Sequence, residues 1–188
     1  MLDLVKAETE RIDSRFLEPA CGSGNFLAPA LERKFAVVQA RYRGSDFEKR
    51  HYALLALMSV YGVEILPDNL AECRERLLGH FLKFLSVHDD GQWTRAGRAV
   101  VTANIVHGDA LSMKTRGVFP QPIVFPEWAY LGKGRFQRRD FRLDVLTKMS
   151  SFGEETPSGD IGKHEIFVPV KSYPVLSVAD IAGNGAEA

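Results

Sequence analysis

Three stretches of this sequence carry residue types that can do chemistry together. Cys21-Gly22-Ser23-Gly24-Asn25 is a turn of small residues, and its two glycines allow close ligand approach and backbone dihedrals closed to other residues. It follows Phe16-Leu17-Glu18-Pro19, a short strand-like stretch with an acid near its end. It precedes Phe26 to Tyr42, where Leu27, Ala30, Leu31, Phe35, Val38 and Tyr42 share one helical face. Strand, glycine turn and helix N-terminus, with its unpaired N–H groups, receive a nucleotide-like ligand at the carboxyl edge of an open sheet. Glu64 and Asp109 close two later strand-like stretches, Val60 to Ile65 and Asn104 to Asp109. A carboxylate at the second strand end accepts hydrogen bonds from both hydroxyls of a ribose, so the turn, Glu64 and Asp109 read as one site.

What this site excludes is as informative. Leu27 stands where a dinucleotide fingerprint needs a third glycine, and no Gly-Lys-Ser/Thr follows the turn to anchor a phosphate or magnesium. A nucleoside coenzyme without phosphates, such as S-adenosylmethionine, fits better. Cys21 and Cys73 are far apart in sequence with no Cys or His at ligand spacing, so they read as reduced thiols and not as a disulfide or zinc framework. His51, His80, His88, His107 and His164 show no ligand spacing either, and no metal site is expected. Trp93 and the apolar stripes read as packing.

The elements that must position the site alternate. Leu2, Val5 and Ile12 suggest a helix over the first fifteen residues. After the glycine turn and its helix come a second helix from Phe47 to Met58, the Val60 to Ile65 strand, and a helix opening at Pro67-Asp68-Asn69 with Leu70, Cys73, Leu77, Leu78, Phe81 and Leu85 on one face. A short helix around Thr94 to Val101 and the third strand complete the pattern. The expected fold is α/β with a mostly parallel sheet, organised as a core over residues 1–114 and a less regular extension over 115–188 packed on or beside it. That extension holds most of the prolines, strand-like fragments at Pro122 to Tyr130 and Glu165 to Val170, and a fraying end from Ala182.

Composition sets the limits. With 188 residues, 45% hydrophobic and 26% charged, the chain suits a globular domain. Lysine plus arginine and aspartate plus glutamate balance at 24 each, so no global charge draws it to nucleic acid or membrane. No apolar run reaches membrane-helix length and no basic-then-apolar leader opens the chain, which reads as cytoplasmic. Local charge differs: Lys133, Arg135, Arg138, Arg139 and Arg142 interleave with Phe136 and Phe141 as a candidate phosphate-contacting strip.

Phe16-Leu17-Glu18-Pro19-Ala20-Cys21-Gly22-Ser23-Gly24-Asn25-Phe26-Leu27 closely resembles the S-adenosylmethionine motif of bacterial DNA adenine methyltransferases of restriction-modification systems. Tyr61-Gly62-Val63-Glu64-Ile65-Leu66-Pro67-Asp68-Asn69 resembles that family's second motif, and Asn104-Ile105-Val106-His107-Gly108-Asp109-Ala110-Leu111 its third. The likeness covers roughly residues 1–111 and implies a Rossmann-like class I methyltransferase fold. It implies a cofactor site made of Glu18, Pro19, Ala20, Cys21, Gly22, Gly24, Asn25, Phe26, Glu64, Ile65, Leu66, Asp109 and Ala110. Glu18 and the glycines would face the methionine part, Glu64 the ribose, Leu66 the adenine ring and Asp109 the adenine amino group.

The family's catalytic Asn/Asp-Pro-Pro-Tyr/Phe/Trp is absent. The nearest stretch is Phe125-Pro126-Glu127-Trp128, which makes Pro126, Glu127 and Trp128 the catalytic candidates, with Trp128 to stack on a flipped base. No target-recognition domain is recognisable. The leading expectation is an S-adenosylmethionine-dependent DNA methyltransferase acting on the amino group of adenine, or its methylation subunit, with DNA as partner. The alternative is a degenerate or split module that binds cofactor or a partner chain supplying the catalytic loop or target recognition. A third reading is a small-molecule or protein methyltransferase on the same fold.

Overall fold

The computed structural model describes residues 10–145 and 168–184. In chain order the elements are β1 (Phe16–Glu18), α1 (Leu27–Tyr42), α2 (Asp46–Met58), β2 (Val60–Glu64), α3 (Pro67–Leu85), α4 (Gln92–Asn104), β3 (Ile105–Asp109), β4 (Lys114–Thr115), β5 (Val124–Gly132), β6 (Arg135–Arg142), β7 (Lys171–Ser172) and α5 (Val178–Asn184).

Local chemistry sets the helix ends. Ser45 caps α2 by accepting the Glu48 N–H at 3.2 Å, with Asp46 and Glu48 in the favourable first turn. Pro67 opens α3, where its missing N–H costs nothing. That helix stops at Ser86, in the left-handed region at φ 54°, whose N–H returns to the Leu82 and Lys83 carbonyls. The buried stripe of α3 is the expected one: Leu70, Cys73, Leu77, Leu78, Phe81 and Leu85. On α1, Lys34 is buried beside Leu31 and Phe35, a position no apolar pattern indicates.

The chain is α/β. One sheet has the order β1-β2-β3-β4, with β1, β2 and β3 parallel and β4 antiparallel to β3; the other is the antiparallel β5-β6-β7. Alternation along β2 assigns the faces of the first sheet. A Cβ on Gly62 would meet Cys21 Sγ at 2.8 Å and Leu27 at 3.2 Å, so this face carries the glycine turn and α1. On the opposite face Tyr61 packs edge-on to Phe125 and donates its hydroxyl to the Pro126 carbonyl at 2.8 Å. The β5–β6 hairpin therefore covers this second face, and it also meets α2 and α4 through Tyr52, His51 and Asn104. Ile123, Phe125, Trp128, Phe136, Leu176 and Ile181 join Leu27, Leu57 and Val63 in one continuous core.

Four expectations differ from what is found. Residues 10–13 form a turn and bend where a helix was expected, the first nine lying outside the described residues. The extension is more regular than its prolines suggest, with strands of nine and eight residues in its hairpin. Of the expected strand Glu165 to Val170, residues 168–170 are not strand and 165–167 lie outside the described residues. Ala182 and Gly183 continue α5 where a frayed end was expected; the final four residues lie outside. No helix among the described residues is long and apolar enough to cross a membrane.

Candidate functional site

The carboxyl ends of β1, β2 and β3 lie side by side, with Glu18 paired to Gly62 and Glu64 to His107. From β1 the chain turns over the end of β2: the Cys21 N–H reaches the Val63 carbonyl at 3.0 Å. Gly22 and Gly24 take φ of 53° and 83°, the left-handed region that glycine enters freely. The Gly24 N–H bonds the Cys21 carbonyl at 2.9 Å, and the Gly24 carbonyl accepts from Ala28 at 2.9 Å to start α1. Around Gly22 nothing lies within 4 Å of where a Cβ would stand, so the outer side of the turn is open.

Glu64 locks this turn to β2. The residue is 6% exposed, and its carboxylate accepts the Gly22 N–H at 2.7 Å on one oxygen and the Leu66 N–H at 2.8 Å on the other. A carboxylate offers about four lone-pair positions, so each oxygen keeps capacity for a further donor. Ile65 and Leu66, directly beyond, are exposed apolar side chains. Asp109 accepts the Leu111 N–H at 2.9 Å, and that bond holds its carboxyl below the usual aspartate range. His107 Nε2 lies 3.1 Å from the Ile65 carbonyl and links the loops after β2 and β3. Glu18 to Phe26, Glu64 to Leu66 and Asp109 with Ala110 thus share one edge of the sheet.

Two contacts at this edge carry no sequence signal. Arg76, on α3, hydrogen-bonds the Asn25 side chain and pairs with Glu72 at 2.7 Å. Cys73, also on α3, lies against the turn, with its Sγ 3.0 Å from the Cβ position of Gly24. The two cysteines are both free and buried, Cys21 within the turn and Cys73 against it. An Arg or Cys on a helix becomes visible as a neighbour of the turn only once the helix is docked.

The catalytic candidates lie elsewhere. Glu127 pairs with Arg15, which directly precedes β1, and with Arg139 at 2.6 Å. The Trp128 indole N–H donates to Asn104 Oδ1 at 3.0 Å, and the Asn104 amide bonds the Met58 and Val60 carbonyls at the start of β2. Pro126 receives the Tyr61 hydroxyl. All three sit toward the amino edge of the parallel strands. A five-residue strand spans roughly 13–17 Å, so the structure does not bring Glu127 or Trp128 to Glu64 and Asp109.

The basic strip is largely matched by carboxylates. Arg138 grips Asp140 through two bonds of 2.7 and 3.0 Å and lies over the Trp128 and Tyr173 rings. Arg139 is held by Glu127 and Arg142 by Asp144. Lys133 and Arg135 lie exposed at the hairpin tip. Among the described residues no three His, Cys, Asp or Glu side chains converge as metal ligands. No protein-family model, curated protein or solved structure matches this chain.

Proposed function

We propose that this chain is the S-adenosylmethionine-binding module of a DNA methyltransferase that acts on the amino group of adenine, and that the catalytic loop and DNA-reading surface are supplied by another polypeptide segment. The observation that carries this reading is the Glu64 carboxylate, which holds the Gly22 N–H and faces the same edge as Asp109. The strand order β1-β2-β3 with a glycine turn after β1 supports a Rossmann-like reading, because it is one half of the doubly wound order and its ligand crevice lies at this edge.

Three features support the coenzyme reading. The space outside Gly22 admits a ligand against bare backbone, Glu64 keeps lone pairs for ribose hydroxyls, and the exposed Leu66 offers an apolar surface to a purine. When bound, the coenzyme supplies an electrophilic methyl group on a sulfonium. The chain's own part is orientation: the turn fixes the amino-acid end and Glu64 the ribose, so that one methyl direction faces an incoming amine. The position of Glu127 and Trp128 at the other edge favours the module over a self-sufficient enzyme.

Calorimetric titration of the chain and of Glu64→Ala with S-adenosylmethionine and S-adenosylhomocysteine tests this reading, followed by methyl transfer to adenine-containing duplex DNA. Binding that Glu64→Ala abolishes, without transfer, is expected. Transfer by the chain alone overturns the module reading, and absence of binding overturns the cofactor assignment.

A further inference from the structure

Away from the glycine turn, aromatic and basic residues from four parts of the chain gather at the amino edge of the parallel strands. Arg15 just ahead of β1, Arg41 and Tyr42 at the end of α1, Tyr52 on α2, and Trp128 and Tyr130 on β5 line a cleft of about 440 Å³, a size common among small-molecule sites. The site at Glu64 and Asp109 uses none of them.

The walls of this cleft are set before any ligand arrives, which lowers the cost of binding one. The buried Lys34 ammonium donates to the Arg11, Ile12 and Ser14 carbonyls and fixes the approach to β1. Tyr42 and Tyr52 stack with centroids 4.0 Å apart and planes 8° from parallel; Tyr130 meets Tyr52 edge-on at 5.0 Å, and its hydroxyl accepts the Gly134 N–H at 3.1 Å. Trp128 is tied to Asn104. The three tyrosines are half-buried, so each keeps ring surface in the lining. Around them positive charge is left over. One carboxylate, Glu127, serves both Arg15 and Arg139, and Asp13 on the rim lies 3.8 Å from Arg11. Among the described residues no carboxylate pairs with the exposed Arg41.

We propose that this cleft is a nucleotide site, in which the base lies against the rings of Tyr42, Tyr52 and Tyr130 and the phosphate is taken by Arg41, with Arg15 beside it. A guanidinium presents its N–H groups as a planar fork that matches phosphate oxygens in pairs, and aromatic rings accept any base because every base has a π face. A wall of rings beside an unmatched guanidinium selects a ligand that carries both parts. Inorganic phosphate has no ring to stack, a nucleoside has no charge for Arg41, and a cationic ligand meets Arg41 and Arg15 as like charges. A free mononucleotide and the 5′ end of a single strand present the same chemistry. The site rests on these residues alone and not on the cofactor reading above.

Full-length chain is titrated by calorimetry with adenosine 5′-monophosphate, adenosine and inorganic phosphate. The monophosphate is expected to bind about tenfold or more tightly than either of its parts. Arg41→Ala, at an exposed position that leaves the core untouched, weakens it about tenfold. Tyr42→Leu weakens it by a similar factor, whereas Tyr42→Phe, which keeps the ring, retains most of the affinity. Saturating S-adenosylhomocysteine leaves the binding unchanged, because the two sites lie at opposite edges of the sheet. A short single-stranded oligodeoxynucleotide with a 5′-phosphate, titrated in parallel, names the source: the tighter of it and the free nucleotide is the ligand, and both depend on Arg41. Absence of binding by both probes, adenosine binding as tightly as its monophosphate, affinity untouched in Arg41→Ala, or displacement by S-adenosylhomocysteine each overturn the proposal. A chain that binds the monophosphate but not S-adenosylmethionine leaves this site standing and counts against the cofactor reading alone.

Discussion

Glu64 is a nearly buried carboxylate whose two oxygens each hold a backbone N–H. Hydrogen bonds to a charged group contribute about 1.5–3 kcal/mol each. Glu64→Gln keeps the volume but sets an amide donor against one of those N–H groups. Its unfolding free energy in urea is expected to fall by about 2 kcal/mol, and its affinity for S-adenosylmethionine by calorimetry to fall with it. Gly62→Ala tests packing instead, since the new methyl would stand 2.8 Å from Cys21 Sγ and 2.9 Å from its Cβ. A loss of about 1–3 kcal/mol is expected from overpacking, read as a lower midpoint of thermal unfolding. Gly22, Gly24 and Glu64 were legible in the sequence because their residue types and order along the chain carry the information. The need for glycine at 62 and the role of Cys73 were not, because both depend on which side chain crosses β2 after folding.

At the level of elements, the joint between the hairpin and the parallel sheet rests on Asn104. Its amide donates to the Met58 and Val60 carbonyls and its oxygen accepts the Trp128 indole, all while the residue is buried. Asn104→Ala orphans three polar groups at once, so a loss of about 3 kcal/mol is expected. Guanidinium denaturation checks it, with Trp128 fluorescence as a local probe of the hairpin. The helical stripes of α1 and α3 and the strands they serve were readable because each has one buried face and hence a clean period. Of the hairpin, the first strand was readable as the strand-like fragment Pro122 to Tyr130, but its buried faces were not: Phe125 faces Tyr61 while Trp128 and Tyr130 pack toward α2 and α4, so both sides of β5 carry buried residues and the two-residue alternation is lost. Its arginines read as a strip for phosphates because their partners Glu127, Asp140 and Asp144 declare themselves only in the cross-strand register or side-chain geometry.

Across the whole molecule, Lys34 joins the chain ahead of β1 to the helical layer. The side chain is fully buried, and its ammonium donates to the carbonyls of Arg11, Ile12 and Ser14 at 2.8, 3.3 and 2.5 Å. Lys34→Met fills similar volume and leaves those carbonyls without that donor. Unfolding free energy is expected to drop by about 2–4 kcal/mol, and hydrogen exchange is expected to quicken at residues 11–15 before the rest of the sheet.

Among the described residues, the sheet that this cation steadies is finished on one side only. At its far edge β4 is two residues long and Lys114 bridges to Pro122, a residue with no N–H to offer a further strand. At the other edge β1 pairs with β2 alone among the described residues, Phe16 donating inward to the Ser59 carbonyl at 2.8 Å. A sheet with a single bare edge can meet another of its kind edge to edge about a twofold axis, and each then has nothing left to lend a third. With β1 the one open edge of this sheet among the described residues, pairing through it would end at two copies, because the second edge that a fibre requires is closed at β4.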